Sequence, residues 1–317
     1  MVRDKKIFCS QTLVRNAFRL DTDIAMKVLI VANLVKPKVK PAVEQLVPWL
    51  QRRAELIGVE SDDEYDLSEA DVDLIVVLGG DGTLLSVARR LKGRQLPVMG
   101  FNFGRLGFLS QFSPNQLPDV IEQAISDQLP RSYRLMLEAS IIAAEHEIDL
   151  LDVQAVRSVR KYHAIGLNDA VVTAGPPFRM IELQVGTDRD AGVRYFGDGL
   201  IVCTASGSTA YNISAGGPIL SPGLSAMCIT PLCPHSLSFR PVVVNANQVI
   251  TLKAKRVNPG SDLVVDGQAS CHLKKGDRIV IRKAENDLIL LENPHASEWQ
   301  ALGEKLNWAS IPNYNWK

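Results

Sequence analysis

Residues 73–85 read D-L-I-V-V-L-G-G-D-G-T-L-L. Asp73–Leu78 is apolar without alternation, the pattern of a strand buried on both faces. Leu84, Leu85, Val87, Ala88 and Leu91 then share one face of a helix, which Gly93 ends. Between them lies Gly79-Gly80-Asp81-Gly82. In open α/β sheets, ligands gather where a buried strand turns into a helix. Glycines let the backbone approach a ligand closely, and the helix N-terminus attracts anions. Asp81 stands at that mouth. The plainer alternative is a tight turn with Asp81 as helix N-cap. The stretch is neither a Walker A loop nor a G-x-G-x-x-G fingerprint, because it lacks the Lys and the spacing.

Around this unit the chain alternates strand and helix. Met26–Ala32 reads as a strand, Pro41–Glu55 as a helix with Pro41 in its first turn and Pro48 as a kink, Leu96–Phe101 as a strand and Pro118–Asp127 as a helix. An open, mostly parallel sheet covered on both faces follows for residues 26–132. Beyond residue 133 short strands succeed one another: Arg134–Ala143, Asp169–Ala174, Met180–Val185, Leu200–Thr204, Pro241–Val244, Val249–Ala254, Asp262–Val265 and Arg278–Lys283. Residues 133–285 therefore read as an all-β domain. The tail 286–317, with a helix over Ser297–Leu306, is expected to return to the first domain. Residues 1–25 lack an apolar signal core and read as a poorly ordered extension. Met26-Lys27 opens the first strong strand and fits a start site. There is no internal repeat and no low-complexity segment.

Composition excludes several classes. The 317 residues carry 35 Lys and Arg against 35 Asp and Glu, which argues against a nucleic-acid partner. Apolar residues are 46%, enough for a core, and no run reaches the ~20 residues that span a bilayer, so no membrane partner is expected. Five scattered cysteines, at 9, 203, 228, 233 and 271, form no C-x-x-C pair and read as reduced, buried thiols of a cytoplasmic protein. The five histidines show no metal-ligand spacing, and no G-x-S-x-G marks a hydrolase nucleophile.

A second region, F-G-D-G-L-I-V-C-T-A-S-G-S-T-A-Y-N-I-S-A-G-G-P-I at 196–219, combines glycines with hydroxyls at Thr204, Ser206, Ser208, Thr209, Tyr211 and Ser214. Such a segment places N–H and O–H donors around phosphates or a ribose. The apolar run Leu200–Val202 and the closing Pro218-Ile219 argue against a flexible linker. Asn168 and Asp169 offer an amide and a carboxylate to ribose hydroxyls, although alone they read as a turn. Val265-Asp266-Gly267-Gln268 reads first as a hairpin turn.

In this order the fragments resemble the NAD kinase family. The likeness runs from about residue 26 to the C-terminus. It rests on G-G-D-G-T-L-L, F-G-R-L-G-F-L at 103–109, L-N-D-A-V-V at 167–172, the specific block at 197–219, P-H-S-L-S-F-R-P at 234–241 and D-G-Q at 266–268. G-G-D-G alone is also similar to diacylglycerol, sphingosine and 6-phosphofructokinases. The resemblance implies an α/β domain followed by a β-domain. It implies transfer of a phosphoryl group from ATP, or polyphosphate, to the adenosine ribose 2′-hydroxyl of NAD, with Mg2+ or another divalent cation, in a homodimer or homotetramer. It makes Asp81 the proton acceptor and Gly82 a nucleotide contact. It gives Asn168 and Asp169 the ribose hydroxyls, and Thr209, Ala210, Tyr211, Asn212, Ile213 and Ser214 the adenine and nicotinamide pockets. Arg179, Phe196 and Gln268 fall at further contact positions, and Asp198 reaches NAD from the same or a neighbouring subunit.

Relatives often carry Glu where Asp169 stands, so this shorter carboxylate must sit about one methylene closer to its ligand. They often carry Gly or Arg where Phe196 stands, a position linked to the choice between NAD and NADH, and neither preference carries over. No Lys sits in the G-G-D-G motif, so Mg2+ and backbone N–H groups are expected to supply most of the positive field. Arg105 is a candidate phosphate contact. A lipid or sugar kinase would not need the block at 197–219, and a non-catalytic nucleotide sensor would not need Asp81. Labelled-ATP assays with NAD, diacylglycerol and fructose 6-phosphate separate these readings.

Overall fold

The computed structural model describes residues 26–308, except 64, 105, 106 and 189. The expected extension 1–25 and Arg105 lie outside the described residues. The first region runs β1 (Lys27–Ala32), α1 (Val39–Leu50), β2 (Glu55–Glu60), β3 (Leu74–Gly79), α2 (Asp81–Arg90), β4 (Pro97–Asn102), α3 (Leu117–Ile125) and β5 (Arg131–Arg134). Its sheet has the order β2-β1-β3-β4, then a strand from the far end of the chain, Leu288–Leu291, then β5. All its pairings are parallel except the last. The period-two rule sorts β1 and β3 into two faces. Leu29, Val31, Ile75 and Val77 pack with α2, while Val28, Ile30, Leu74 and Val76 pack with α1 and α3.

Two expectations need correction here. The helix expected over Pro41–Glu55 spans Val39–Leu50, with Pro48 in its last turn, and Glu55 already opens β2. The edge strand E-L-I-G-V-E is only half buried, so its pattern does not separate it from a helix end. The run Arg134–Ala143 is two strands, because the chain leaves the first sheet after Arg134 and enters a second at Leu137. Hydrophobicity is continuous there and does not mark the change of sheet.

The second region runs β6 (Leu137–Ile142), α4 (Val153–Val159), β7 (Arg160–Gly166), β8 (Asp169–Thr173), β9 (Ile181–Thr187), β10 (Asp190–Gly197), β11 (Gly199–Thr204), α5 (Tyr211–Ser214), β12 (Ala226–Leu232), β13 (Val242–Asn245), β14 (Ile250–Arg256), β15 (Asp262–Val265), β16 (Ala269–His272) and β17 (Arg278–Lys283). Two antiparallel sheets, β10-β9-β14-β17-β6-β7 and β13-β12-β11-β8-β15-β16, enclose a core that includes Leu137, Leu183, Tyr195, Val202, Leu252 and Ile279. The region is β-rich with two short interposed helices, α4 and α5; the N-cap of α4, Asp152, accepts from the Gln154 and Ala155 N–H groups. Sequence reasoning missed β7 and β10, which carry charged residues, β12, which holds Pro231, and β16, which is only four residues long. The chain closes with β18 (Leu288–Leu291), in the first sheet, and α6 (Glu298–Leu306), capped by Ser297. Of the described cysteines, Cys203 and Cys228 are buried neighbours across β11 and β12, but Cys233 is exposed, against expectation.

Candidate active site

The order β2-β1-β3 is a topological switch: the chain leaves β1 in one direction and returns on its other side. The crevice outside the carboxyl ends of β1 and β3 is where such sheets bind ligands. Gly80 and Asp81 follow β3 there, and Lys36 follows β1. A cavity of about 260 Å³ opens between them, lined also by Asn33, Thr83 and Asn102.

Asp81 does not cap its helix. Gly80 is the N-cap residue and no side chain caps it. The Asp81 carboxylate turns to the neighbouring loop instead. Oδ2 accepts from the Phe108 N–H at 2.7 Å and the Leu109 N–H at 3.3 Å, and Oδ1 accepts from the Ser110 N–H at 3.0 Å. A carboxylate offers about four lone-pair sites, so these three donors leave one open. Gly107 is required for this arrangement, since a Cβ there would overlap the Asp81 carboxylate.

Sequence reasoning missed two lysines near Asp81, Lys36 at this mouth and Lys305 in a neighbouring cavity that shares Gly107 with it. Lys36 Nζ donates to the Gly79 carbonyl at 2.6 Å, and a Cβ on Gly80 would touch the same ammonium. Lys305, on α6, donates to the Gly107 carbonyl and stands 3.8 Å from the centroid of the Phe108 ring. Burial lowers its ammonium to about 8, against an opposing pull from Asp81. To the positive field expected mostly from metal and backbone, two ammonium groups from distant parts of the chain therefore add their charge. The Lys36 signal was legible only once β1 and β3 were known to be adjacent.

The second half of the site meets the start of α2 through Gln268, whose Nε2 donates to the Gly82 carbonyl. Leu167 and Asn168 form the turn between β7 and β8, and Asp169 opens β8. The Asp266 carboxylate accepts from all three consecutive N–H groups, Leu167 at 2.8 Å, Asn168 at 2.8 Å and Asp169 at 3.0 Å. Asp266 sits in the β15–β16 hairpin turn at φ 51°, so the turn reading is right, but its clamping of the Asn168 turn left no mark in the sequence. Two carboxylates thus lie close together in a dry place. Burial, and then the charge of Asp266, raises Asp169 to about 7, and burial pushes Asp266 up as well.

The hydroxyl-rich block packs onto this turn. Thr204 Oγ1 donates to the Leu167 carbonyl at 2.5 Å and accepts from the Gly207 N–H at 3.1 Å, and a Cβ on Gly207 would overlap the Asn168 carbonyl. Asn212 is fully buried. Its Nδ2 donates to the Ser208 and Pro218 carbonyls, and its Oδ1 accepts from Thr230, so the side chain holds the loop's own shape. Thr209, Ala210 and Ile213 are half-buried, and Tyr211 and Ser214 are exposed. Two buried atoms, Asn168 Oδ1 and Ser206 Oγ, find no partner among the described residues. Buried polar atoms are rarely left unpaired; Ser110 Oγ in the Asp81 loop and atoms elsewhere, such as Tyr162 Oη and Arg278 Nη2, share this condition, so the pair is a candidate bonding position for a polar ligand.

Gln268 joins the halves, its Nε2 donating to the Gly82 carbonyl at 2.9 Å. Arg179, Phe196 and Asp198 are not part of this cluster. Arg179 is exposed beside Asn258, which donates to its carbonyl. Phe196 and Asp198 precede Gly199, at the opposite end of β11 from Thr204, about 17 Å away along an extended strand.

Residues 60–129 match the ATP-NAD kinase N-terminal domain, and residues 167–292 match the ATP-NAD kinase C-terminal domain. An NAD kinase of Rhodopirellula baltica is 36% identical over 283 residues, 89% of this chain and 87% of that protein. The chain belongs to the NAD kinase family. A second relative, the NAD kinase of Syntrophotalea carbinolica, is 36% identical over 88% of this chain and 97% of its own length. Among solved structures, an NAD kinase from Archaeoglobus fulgidus in complex with ATP superposes with a TM-score of 0.63 at 27% identity, covering 85% of this chain and 94% of that one. Yeast NADH kinase complexed with NADH superposes with a TM-score of 0.76 at 24% identity, covering 90% and 89%, a likeness of fold.

Proposed function

We propose that this member of the NAD kinase family phosphorylates NAD to NADP with ATP, and that Asp81 takes the proton from the adenosine ribose 2′-hydroxyl. One observation carries the reading: Asp81, freed from capping, is held by three backbone N–H groups with one acceptor site open, and Gln268, from the turn whose Asp266 clamps Asn168, bonds the next residue, Gly82. Phosphoryl transfer needs positioning and charge neutralisation above all. Lys36 and the N-terminus of α2 hold the triphosphate over Gly80–Gly82. Asn168 and Asp169 orient the ribose so that its hydroxyl points at Asp81. As the oxygen bonds to the γ-phosphorus, the bond to the β-phosphate oxygen breaks, and the proton passes to the carboxylate. Tyr211, half exposed, offers a ring face to a base or to nicotinamide.

The described residues contain no group of three His, Cys, Asp or Glu side chains able to cage a metal. They fit a divalent cation carried mainly by the ATP phosphates, with Asn102 as a nearby oxygen donor, and such an ion would supply charge neutralisation at the phosphoryl group. Asn168-centred ligands do not meet the Phe196–Asp198 end of their own β11. This supports a homodimer or homotetramer in which a partner copy supplies that end. Domain limits at 26–132 with the tail 286–317, and at 133–285, are consistent with β18 lying in the first sheet, although β5 carries that sheet two residues further. No helix among the described residues is long and apolar enough to cross a membrane, and a cytoplasmic enzyme fits the free thiols.

The test is one coupled assay: purified protein, NAD or NADH, ATP or polyphosphate, with and without Mg2+, following NADP through a dehydrogenase. Diacylglycerol and fructose 6-phosphate serve as rival acceptors with labelled ATP. NADP formed from NAD and ATP, with no label on the rivals, is expected. NAD binding without NADP formation would instead mark a sensor.

A further inference from the structure

We infer that Lys305, on the C-terminal helix α6, is a positioning residue for the Asp81 carboxylate, acting through the Gly107–Phe108 peptide group. The inference deepens the reading of Asp81 as proton acceptor and rests on it.

The Gly107 carbonyl and the Phe108 N–H belong to one planar peptide group. Lys305 Nζ donates to that carbonyl. The same group's N–H donates to Asp81 Oδ2 at 2.7 Å, the shortest of the three bonds that hold the carboxylate. A cation on the oxygen end polarises the peptide and strengthens donation from its nitrogen end. The ammonium also lies 3.8 Å from the centroid of the Phe108 ring, which fixes the next residue of the loop. Lys305 is therefore tied to the loop at two adjacent residues, and the loop is tied to Asp81. Its charge and the Asp81 carboxylate attract each other directly as well.

The setting is built for this contact. Helix α6 carries Trp299, whose ring packs at 5.4 Å on that of Trp308, and the helix walls a cavity of about 530 Å³ against Phe108, Leu109 and Leu220. The charged groups around the ammonium are Asp81 on α2 and Glu304 on its own helix. The Arg134–Glu292 pair, His295 and Glu298 line the same cavity. Half-buried there, the ammonium discharges near pH 8, within reach of an ordinary assay. The family matches end at residue 292 and leave α6 unassigned.

The experiment measures kcat and KM for NAD on the full chain between about pH 6.5 and about pH 9.5, for the parent protein, Lys305→Met, Lys305→Arg and Asp81→Asn. In the parent, kcat falls as pH rises through about 8. Lys305→Met lowers neutral-pH kcat about 10- to 100-fold, changes KM for NAD less than about threefold, and loses the alkaline fall. Lys305→Arg, whose guanidinium stays charged, restores at least part of kcat and holds it above pH 8. A Lys305→Met enzyme with parental kcat and profile overturns the inference. So does a loss of kcat that Arg does not rescue and that leaves the alkaline fall in place, since that is packing alone. If Asp81→Asn retains turnover, the proton-acceptor reading itself falls. If Asp81→Asn is inactive and Lys305→Met is unaffected, only this inference falls.

Discussion

Asp81 and Asp169 are both carboxylates at the ends of buried strands, and the fold gives them opposite surroundings. Asp81 has three backbone N–H donors on it, with Lys36 at the same mouth and the Lys305 charge on the loop beside it. Asp169 is 5% exposed and shares its place with Asp266, so it rises to about 7. Pairs of acids pushed apart by environment divide chemical roles between them. The three fixed N–H donors orient the open lone pair of Asp81, which is what positions it to take a proton, while the ammonium charges beside it suit phosphates. The dry, partly protonated Asp169 suits hydrogen bonding to a sugar, whose hydroxyls are both donors and acceptors. On the proposed reading Asp81 serves chemistry and Asp169 recognition, and burial holds Asp169 at a cost in stability.

Two glycines break this comparison most strongly, one on each side. Gly107→Ala drives a methyl into the Asp81 carboxylate. Steady-state kinetics should show kcat down about 100-fold or more with NAD affinity, by calorimetry, nearly unchanged. Gly207→Ala drives a methyl into the Asn168 carbonyl. It should cost about 2–3 kcal/mol in denaturant unfolding and weaken NAD binding with it. Similar effects of both variants on turnover and affinity would erase the division.

Asp169→Asn sharpens it. The acid is raised from 3.8 to about 7 in the folded chain, so between these values the folded state binds the extra proton and stability falls as pH rises. Above about pH 7 the carboxylate is ionised in both states and the full penalty is present. Below about pH 4 it is protonated in both and there is none. Asp169→Asn should therefore unfold like the parent near pH 4 and be more stable by about 2–4 kcal/mol at pH 8. It should also bind NAD more weakly, by about tenfold, through loss of a charge-assisted hydrogen bond. Equal stability of the two proteins at pH 8 would contradict the dry-carboxylate description.

The smallest effect expected is at Tyr211. Its ring is 48% exposed and ready to stack. Tyr211→Ala should weaken NAD binding about tenfold or less by calorimetry. Unchanged affinity would remove the ring from the ligand's path.

The first half of this site was largely legible in the sequence, because a buried strand, a glycine turn and a helix are all local. The strand, the helix and the place of Asp81 follow from residues 73–91 alone. Its partners were not legible. Gly107, Lys36 and Lys305 reach Asp81 only through the β2-β1-β3 order and the return of the tail, and no periodicity records either. In the second half the pieces at 167–169 and 204–214 were visible as composition. The clamp by Asp266 was hidden, because a D-G-Q hairpin turn looks the same whether or not its carboxylate holds a loop 97 residues away. Asn212 lay within the expected pocket, yet its side chain serves the scaffold, a distinction that rests on burial.

The most direct measurement is NADP formation by Asp81→Asn alongside calorimetry with NAD. Asn keeps the shape of the side chain but cannot take the proton. NAD affinity should stay within about threefold of the parent while turnover falls about 10²–10⁴-fold. An Asp81→Asn protein that turns over at close to the parental rate would show that the ribose proton leaves by another route.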